Sequence, residues 1–128
     1  MKVSKEVYEK LVGKSIDIKT NKYHNKKIEY DGMIFDSKKE YSFYIKFKLM
    51  EKSGEIQNLR RQVEYILMDN FVLNGKKYRK TSYIADFVYE QDGETHVIDV
   101  KSKATKTEVY KLKKKLMAYK YGIEIEEL

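Results

Sequence analysis

The hydrophobic and polar positions of this chain follow two different periods along its length. Apolar residues return every three or four positions over 37–52 and over 106–121, which is typical of amphipathic helices. Elsewhere apolar and polar residues alternate one by one, which indicates strands. The strands are predicted over 58–68, 81–89, 95–101 and 123–128. The predicted order is therefore helix, three strands, helix and strand.

Pairs of Asp-Gly or Asn-Gly mark the predicted turns, at 31–32, 74–75 and 92–93. Such pairs favour two-residue hairpin turns because both residues readily adopt positive φ. The first pair joins two short strand-like pieces, and the third joins the two strands at the centre of the pattern. We therefore expect a hairpin over 82–101 near the middle of the sheet.

The N-terminal part of the chain is predicted to lie outside the core. Residues 4–12 form a short helix that begins at a capping Ser, and the basic segment 19–27 is a loop or arm. No internal repeat and no interdomain linker interrupts the rest, so one domain is predicted over 1–128. It is divided into an N-terminal helix and basic arm, 1–26, and a core, 27–128.

The first long helix carries a carboxylate within its aromatic face. At 100° per residue, Glu40 lies among four aromatic side chains, while Lys39 and Lys46 lie on the far side. The aromatic residues are Tyr41, Phe43, Tyr44 and Phe47. Glu40 also lies three positions after Ser37, the spacing of a capping box, so a structural role at the start of the helix is the alternative.

The second long helix divides into an apolar stripe and a basic face. The stripe is predicted to consist of Val109, Leu112, Leu116 and Tyr119. Lys111, Lys114 and Lys115 lie on the opposite face, where they are either solvated or available to phosphate groups.

Two aspartates stand inside the apolar runs of the central hairpin. If Asp92-Gly93 is a two-residue turn, residues that face each other across the strands have numbers that add to 185, and Asp86 and Asp99 meet this condition. Their Cβ atoms would then lie about 5 Å apart, where like charges repel. Such a pair requires a bound proton or a cation between the carboxylates.

Alternation also places Lys101 on the face of Asp99, two residues along the strand. Facing carboxylates with a nearby Lys and a helical Glu indicate a site for a hard cation such as Mg²⁺, which takes oxygen ligands. The alternative is a surface salt-bridge cluster of Asp86, Asp99 and Lys101.

Composition restricts the class of protein. The chain has 128 residues and a net charge of +7, from 27 Lys and Arg against 20 Asp and Glu, which favours polyanionic partners. It has no Cys, which excludes disulfides and thiolate metal sites. No apolar run is long enough to span a membrane, and the N-terminus lacks a secretory signal, so we expect a cytoplasmic protein.

The helical Glu40, the strand Asp86 and the "DVK" of residues 99–101, followed by a basic helix and a strand, together resemble the PD-(D/E)XK nuclease superfamily. Ala85 stands where the motif often has Pro. The resemblance implies an α/β (α+β) fold, with a restriction-endonuclease-like αβββαβ core and a central mixed sheet flanked by helices. "YIADF", "DVKS" and their flanks over 22–127 further resemble a phage and prophage family of formerly unknown function.

That family is similar to Holliday-junction resolvases, which act as homodimers on branched DNA. The resemblance implies a Mg²⁺- or Mn²⁺-dependent endonuclease of phage DNA recombination, without an organic cofactor, that acts in the bacterial host. Asp86, Asp99 and the Val100 carbonyl would hold the metal, with Glu40 directly or through water. Lys101 would position the attacking water.

Other residues are candidates for contacts with DNA or with the site. Phosphate contacts are expected from Lys22, Lys26, Lys27, Lys103, Lys111, Lys114 and Lys115. Gln62 could place a polar group near the site, whereas His24 and His96 are expected to be ordinary polar residues. The rival hypothesis is a non-catalytic protein that keeps the fold and binds nucleic acid or a host factor.

Overall fold

The computed structural model of the chain describes residues 17–20, 26–101 and 106–128, with side chains described from residue 27 onward. The chain divides into two compact units, with the boundary after Leu59. The predicted N-terminal helix over 4–12 lies outside the described residues. No helix that the structure describes is long and apolar enough to cross a membrane.

The first unit contains three short strands and a long helix. They are β1 (Asp17–Thr20), β2 (Lys26–Tyr30), β3 (Met33–Phe35) and α1 (Lys38–Lys52). The strands form an antiparallel sheet in the order β1-β2-β3. Part of the segment predicted to be a basic arm is therefore strand, because residues 17–20 and 26–30 pair with each other.

Helix α1 begins where the sequence predicts it. The Ser37 side chain accepts a 3.1 Å hydrogen bond from the Glu40 backbone N–H, which is one half of the expected capping box. The helix buries its aromatic face against β3, where the ring centroids of Phe35 and Tyr41 lie 5.4 Å apart. Lys39 and Lys46 are exposed on the opposite side, as their spacing predicts.

The second unit is built on a mixed sheet with one helix packed against it. Its elements are β4 (Gln57–Met68, which begins in the first unit), β5 (Phe71–Leu73), β6 (Lys76–Tyr78), β7 (Thr81–Gln91), β8 (Glu94–Asp99), α2 (Glu108–Tyr121) and β9 (Glu126–Glu127). The sheet order is β4-β7-β8-β9, with β7 and β8 antiparallel and β8 and β9 parallel. The α+β fold, with a mixed sheet and the predicted order of elements, is confirmed.

The core of the second unit lies between the sheet and α2. Buried Val88 and Val97 from the central strands pack with Tyr110 and Met117 from the helix and with Ile125 beside β9. Helix α2 begins at Thr107, whose hydroxyl accepts a 3.1 Å hydrogen bond from the Tyr110 N–H. Gly122 ends the helix in the left-handed conformation, which a residue without Cβ adopts at no steric cost.

The apolar stripe predicted for α2 is wrong at three of its four positions, and only Leu116 packs against the core. Val109, Leu112 and Tyr119 are exposed, at 63%, 53% and 88%, whereas Tyr110 and Met117 are buried. Both sets of residues repeat at helical spacing, so periodicity alone cannot choose between them. The sheet makes the choice, because it packs against the face that carries the long side chains of Tyr110 and Met117.

Candidate functional site

The central hairpin has the register that its turn predicts. Strands β7 and β8 pair from Gln91 with Glu94 to Phe87 with Ile98. The turn residues Asp92 and Gly93 have φ of 53° and 79°, as a two-residue hairpin turn requires. The next facing positions beyond Phe87 and Ile98 are Asp86 and Asp99, so the two strands bring these aspartates together.

Asp86 stands where the ladder between β7 and β8 ends. Its Oδ2 accepts a 2.8 Å hydrogen bond from the backbone N–H of Val100. A carboxylate thus takes the place of the backbone carbonyl that a continued ladder would offer. This bond fixes the Asp86 side chain beside the segment that contains Asp99 and Lys101.

Asp99 is held by two other side chains. It is 4% exposed, and its Oδ2 accepts a 2.7 Å hydrogen bond from the Tyr83 hydroxyl. Its Oδ1 lies 3.6 Å from Lys101 Nζ. The repulsion expected between the two aspartates is therefore offset by neutral donors on each carboxylate and by a cation on one of them.

Leu128, the residue that follows β9, supports the same segment from its other side. The Leu128 N–H donates to the Asp99 carbonyl, and the Lys101 N–H donates to the Leu128 carbonyl, both at 3.0 Å. In an extended chain the N–H and C=O of one residue point to the same side of the strand. The Val100 carbonyl therefore points away from β9, to the side where the Val100 N–H meets Asp86.

Lys101 lies against an aromatic ring from helix α2. Its Nζ is 4.3 Å from the ring centroid of Tyr110, a cation–π distance. The Tyr110 hydroxyl donates a 2.6 Å hydrogen bond to Glu127 on β9. Glu127 also pairs with Lys106 at 3.4 Å and with Lys114 at 3.3 Å. The ammonium group of Lys101 is thus placed between Asp99 and a ring that is itself tied to the sheet.

The two tyrosines of the cluster stay protonated at neutral pH. Burial is the main cause that raises the pKa of Tyr83 far above its ordinary value, and its hydrogen bond to Asp99 adds to it. Burial, followed by the hydrogen bond to Glu127, raises the pKa of Tyr110 in the same way. The negative charges of Asp86 and Asp99 both contribute to the raised pKa of each phenol.

The pKa of the Glu127 carboxyl is held below its ordinary value. The hydrogen bond from Tyr110 is the main cause, and Lys114 and Lys106 contribute as well. Glu127 is therefore a negative charge at the edge of the cluster. The second unit thus gathers three carboxylates, the Lys101 ammonium and two neutral phenols near the open end of the β7–β8 ladder and beside β9.

Glu40 and Gln62, which were predicted to belong to the site, differ from each other in their environments. Glu40 belongs to the first unit, where it is 4% exposed on the aromatic face of α1. Gln62 is an exposed residue of β4 with a φ of 53°, a backbone conformation that L residues rarely adopt. The participation of either residue in the cluster stays a prediction.

The candidate phosphate-binding lysines are distributed over several segments. Lys22 and Lys103 lie outside the described residues, as does the side chain of Lys26, and Lys27 lies 4.0 Å from Asp36. The α2 lysines border a groove of about 450 Å³. Lys111 pairs with Glu108 at 3.2 Å, Lys114 pairs with Glu127, and Lys115 is exposed.

His24 lies outside the described residues, and His96 is an ordinary polar residue of β8. Its Nδ1 is within hydrogen-bonding distance of Glu126, at 2.7 Å, and its ring stacks on Tyr89. Both contacts of His96 are with neighbouring strands of the sheet, and neither is with Asp86 or Asp99.

The residues that could hold a divalent cation are Asp86, Asp99 and the Val100 carbonyl. Across residues 17–20, 26–101 and 106–128, no three or more His, Asp or Glu side chains form a metal-binding group. Mg²⁺ needs fewer protein ligands, because it keeps several waters and binds through one or two carboxylates. Two carboxylates beside a backbone carbonyl suit Mg²⁺ or Mn²⁺ with waters in the remaining positions.

Sequence reasoning missed three residues of the cluster: Tyr83, Tyr110 and Glu127. Strict alternation places Tyr83 on the face opposite Asp86, although Tyr83 and Val88 belong to one buried cluster. Tyr110 lies outside the stripe that periodicity favoured. Glu127 was detectable, because β9 was predicted and an acidic residue beside a lysine-rich helix indicates an ion pair.

Comparison with known proteins gives one result. The model of a family described as "Protein of unknown function (DUF1064)" matches residues 20–126, which is most of the chain. No curated protein and no solved structure matches the chain at a significant level.

Proposed function

This chain belongs to the DUF1064 family, a protein family of unknown function, and we propose that it is a metal-dependent endonuclease that hydrolyses phosphodiester bonds in DNA. Its substrate is branched or otherwise structured DNA, and it acts as a homodimer. The protein is encoded by a phage or prophage and works in the cytoplasm of the bacterial host. The resemblance to PD-(D/E)XK nucleases and Holliday-junction resolvases supports these assignments.

One observation carries the proposal: two aspartates meet at the open end of the β7–β8 ladder with a lysine beside them. Asp99 is buried, and its Oδ1 lies 3.6 Å from Lys101 Nζ. Burying a carboxylate costs free energy unless it is hydrogen-bonded and paired. A protein that only bound phosphate would gain nothing from carboxylates at this position, because they repel anions. The arrangement therefore favours chemistry that needs a cation.

Two aspartates, a backbone carbonyl and a lysine of the cluster have roles in the proposed hydrolysis. Asp86, Asp99 and the Val100 carbonyl would hold Mg²⁺ or Mn²⁺, which when bound stabilises the charge that develops on the phosphate and activates water. Lys101 orients the attacking water and offsets negative charge on the phosphorus centre. Water forms a bond to phosphorus and releases one proton to solvent, the bond from phosphorus to the 3′ oxygen breaks, and the 3′ oxygen takes up a proton from solvent.

The phenols keep Lys101 and Asp99 in position. Tyr83 stays neutral, so it donates a hydrogen bond to Asp99 without neutralising its charge. The ring of Tyr110 offers its π face to the Lys101 ammonium. Such fixed geometry contributes to catalysis because reacting groups need not be ordered at the moment of reaction.

The basic surplus of the chain supports DNA as the substrate. A net charge of +7 attracts the phosphate backbone without regard to base sequence. Exposed lysines of α2, among them Lys111 and Lys115, lie on the same helix as Tyr110, which contacts Lys101. Phosphate bound along this helix would therefore lie near the cluster.

The proposal is tested with Asp99→Asn and Lys101→Met, with Asp92→Asn as the control. Purified protein is incubated with Mg²⁺ or Mn²⁺ and with junction, flap, duplex and single-stranded DNA. We expect Asp99→Asn to lose cleavage by orders of magnitude and to lose the stabilisation that the metal gives the folded state. Asp92→Asn removes the same charge from the exposed turn of the hairpin, so both properties should be retained.

Lys101→Met separates catalysis from binding. Metal stabilisation and DNA affinity should change little, whereas cleavage should be lost, because Lys101 acts on water rather than on the metal. If wild-type protein binds DNA but cleaves none of the four substrates with either metal, the chain is a non-catalytic binding protein instead. If Asp99→Asn keeps full cleavage, the assignment of the site is wrong.

A further inference from the structure

The hairpin formed by β5 and β6 stands apart from the four-stranded sheet. Its two strands pair with each other and with no other described strand. Asn74 and Gly75, with φ of 51° and 75°, form its tight turn. All six strand residues are exposed, so the hairpin adds nothing to the core. We refer to residues 70–80 as the basic hairpin.

The basic hairpin exposes large apolar side chains to solvent. Val72 is 63% exposed, Leu73 57% and Phe71 43%. Because neighbouring exposed apolar residues are uncommon on soluble domains, such a patch marks a contact surface. The phenyl ring of Phe71 and the ring of Tyr78 stack on each other with centroids 4.7 Å apart and planes 8° apart. The outer face of each ring, on either side of the stack, is a flat aromatic surface, and we refer to the stacked pair as the platform.

Positive charge lies on both faces of the hairpin, because Lys76 shares the face of Phe71 and Tyr78 whereas Lys77 alternates onto the other face. The basic hairpin contains no acidic residue, and its cations are Lys76, Lys77, Arg79 and Lys80. Lys80 pairs with Glu64 at 3.1 Å, and Lys76 lies over the Tyr78 ring at 5.1 Å. Among the residues that the structure describes, Lys77 and Arg79 make no ion pair. They line a groove of about 900 Å³ together with Phe71 and Tyr78.

We propose that the basic hairpin binds unpaired bases of DNA, with the Phe71–Tyr78 platform stacking on a base and Lys77 and Arg79 contacting the adjacent phosphates. An aromatic ring binds any base through its π face, and cations bind the backbone on either side. Paired DNA does not offer such a base, because its bases are stacked inside the duplex. The hairpin therefore directs the protein to single-stranded segments and to the branch points of structured DNA.

Charge argues against the other partners of an apolar surface. Two copies of the hairpin in contact would bring their cations together without compensating carboxylates, and like charges at close range repel. An anionic lipid surface would attract the cations, but it gives no role to a flat aromatic pair beside a groove. The choice of DNA among polyanions rests on the proposed function.

The experiment measures binding without cleavage. Fluorescently labelled oligothymidylate, a four-way junction and a blunt duplex are titrated with protein in the presence of EDTA, and anisotropy is recorded at several salt concentrations. We expect Phe71→Ala/Tyr78→Ala to weaken binding of oligothymidylate and of the junction about tenfold or more, because stacking is lost. Duplex affinity should change less than twofold.

Two further variants separate stacking from charge. Tyr78→Phe keeps the platform and should bind as the wild type does. Lys77→Ala/Arg79→Ala should reduce the slope of log affinity against log salt for oligothymidylate by about 1.4. Each phosphate contact with a single strand contributes about 0.7 to this slope. Because every altered side chain is exposed, thermal melting should be unchanged, and this is checked for each variant.

Several outcomes would overturn the inference. If Phe71→Ala/Tyr78→Ala loses affinity equally for duplex and for oligothymidylate, the platform does not recognise unpaired bases. If Phe71→Ala/Tyr78→Ala binds all three DNAs as the wild type does, the hairpin does not contact DNA. If, in that case, the wild type binds phosphatidylserine vesicles through the hairpin, the surface binds lipid. If Val72→Ser/Leu73→Ser converts a dimer to a monomer in sedimentation, the surface joins two copies of the chain. Hairpin-dependent binding without cleavage by the wild type would refute the proposed function and leave this inference standing.

Discussion

The Tyr83 hydroxyl donates a 2.7 Å hydrogen bond to Asp99, and both residues are 4% exposed. A neutral donor in this position orients the carboxylate and leaves its charge intact. The second oxygen of Asp99 lies 3.6 Å from Lys101 Nζ. Tyr83 therefore acts as a positioning residue: it fixes the acid on which the lysine depends.

Tyr83→Phe removes this donor while keeping the ring. We expect the free energy of unfolding to fall by about 1–3 kcal/mol, because a buried carboxylate loses a hydrogen bond. We also expect cleavage to fall through kcat more than through KM, since the geometry of the site and not DNA binding is disturbed. Urea denaturation and steady-state kinetics measure the two effects.

Tyr119→Phe is the matched control for this change. Tyr119 is 88% exposed on α2, so the loss of its hydroxyl should alter neither stability nor cleavage. If Tyr83→Phe is as stable and as active as this control, the hydrogen bond to Asp99 has no role in the site.

The ring of Tyr110 and its hydroxyl make separate contributions that two substitutions can distinguish. Tyr110→Phe keeps the π face 4.3 Å from Lys101 Nζ and loses the hydrogen bond to Glu127, whereas Tyr110→Leu loses both. A cation–π contact of about 1–2 kcal/mol predicts that Tyr110→Leu lowers kcat by about tenfold relative to Tyr110→Phe. Equal rates in single-turnover cleavage would show that the ring does not position Lys101.

Acid should weaken the fold through Glu127. Its folded pKa lies below the ordinary value of 4.5, chiefly because Tyr110 donates to it. The carboxylate therefore adds stability above about pH 4.5, and this stability is lost as the pH falls through the folded pKa. We expect the difference in unfolding free energy between wild type and Tyr110→Phe to be larger at pH 7 than at pH 3. A difference that is equal at both values would contradict the coupling.

Alkali should weaken the fold through Tyr83 and Tyr110. Both folded pKa values lie above the ordinary value of 10.0, mainly because the phenols are buried. The stability that these neutral phenols contribute is fully present below pH 10 and is lost as the pH rises further, because the unfolded chain ionises first. In a spectrophotometric titration, part of the tyrosinate signal should appear only on unfolding. Tyr83→Phe should reduce that late part of the signal.

The lysines of α2 should carry part of the salt dependence of DNA binding. Lys111→Ala/Lys115→Ala should reduce the slope of log affinity against log salt by up to about 2, because each phosphate contact contributes about 0.9. Lys114 is left unchanged, since its removal would disturb Glu127. Metal stabilisation should not change.

Lys46→Ala/Lys48→Ala on α1 is the control for these lysines. Lys48 forms an ion pair with Glu51 at 3.3 Å, and Lys111 forms a similar pair with Glu108 at 3.2 Å. Lys46 and Lys115 are both exposed. The control therefore removes equal charge from an equivalent setting. If both double variants change the slope equally, the α2 lysines act only through net charge.

Local rules of the chain determined the elements and the register of the central hairpin. Ser37 caps the start of α1 and Gly122 caps the end of α2. Caps depend only on residues within a few positions, because they provide hydrogen-bond partners for the unpaired backbone groups at the helix ends. Asp92-Gly93 determined which residues of β7 and β8 face each other, and so brought Asp86 and Asp99 together. A two-residue turn allows only one register of the two strands. The pairing of Asp86 with Asp99 could therefore be predicted although the two residues are far apart in the sequence.

Tertiary structure alone decided how those aspartates are tolerated and which face of α2 is buried. Tyr83 reaches Asp99 from 16 residues away, and Tyr110 reaches Glu127 from 17 residues away. Such contacts depend on the reach of long side chains and on where the β7–β8 ladder ends, which neither period nor spacing encodes. The face of α2 was likewise ambiguous in the sequence, since two stripes share one period, and packing against the sheet selected the stripe with Tyr110 and Met117.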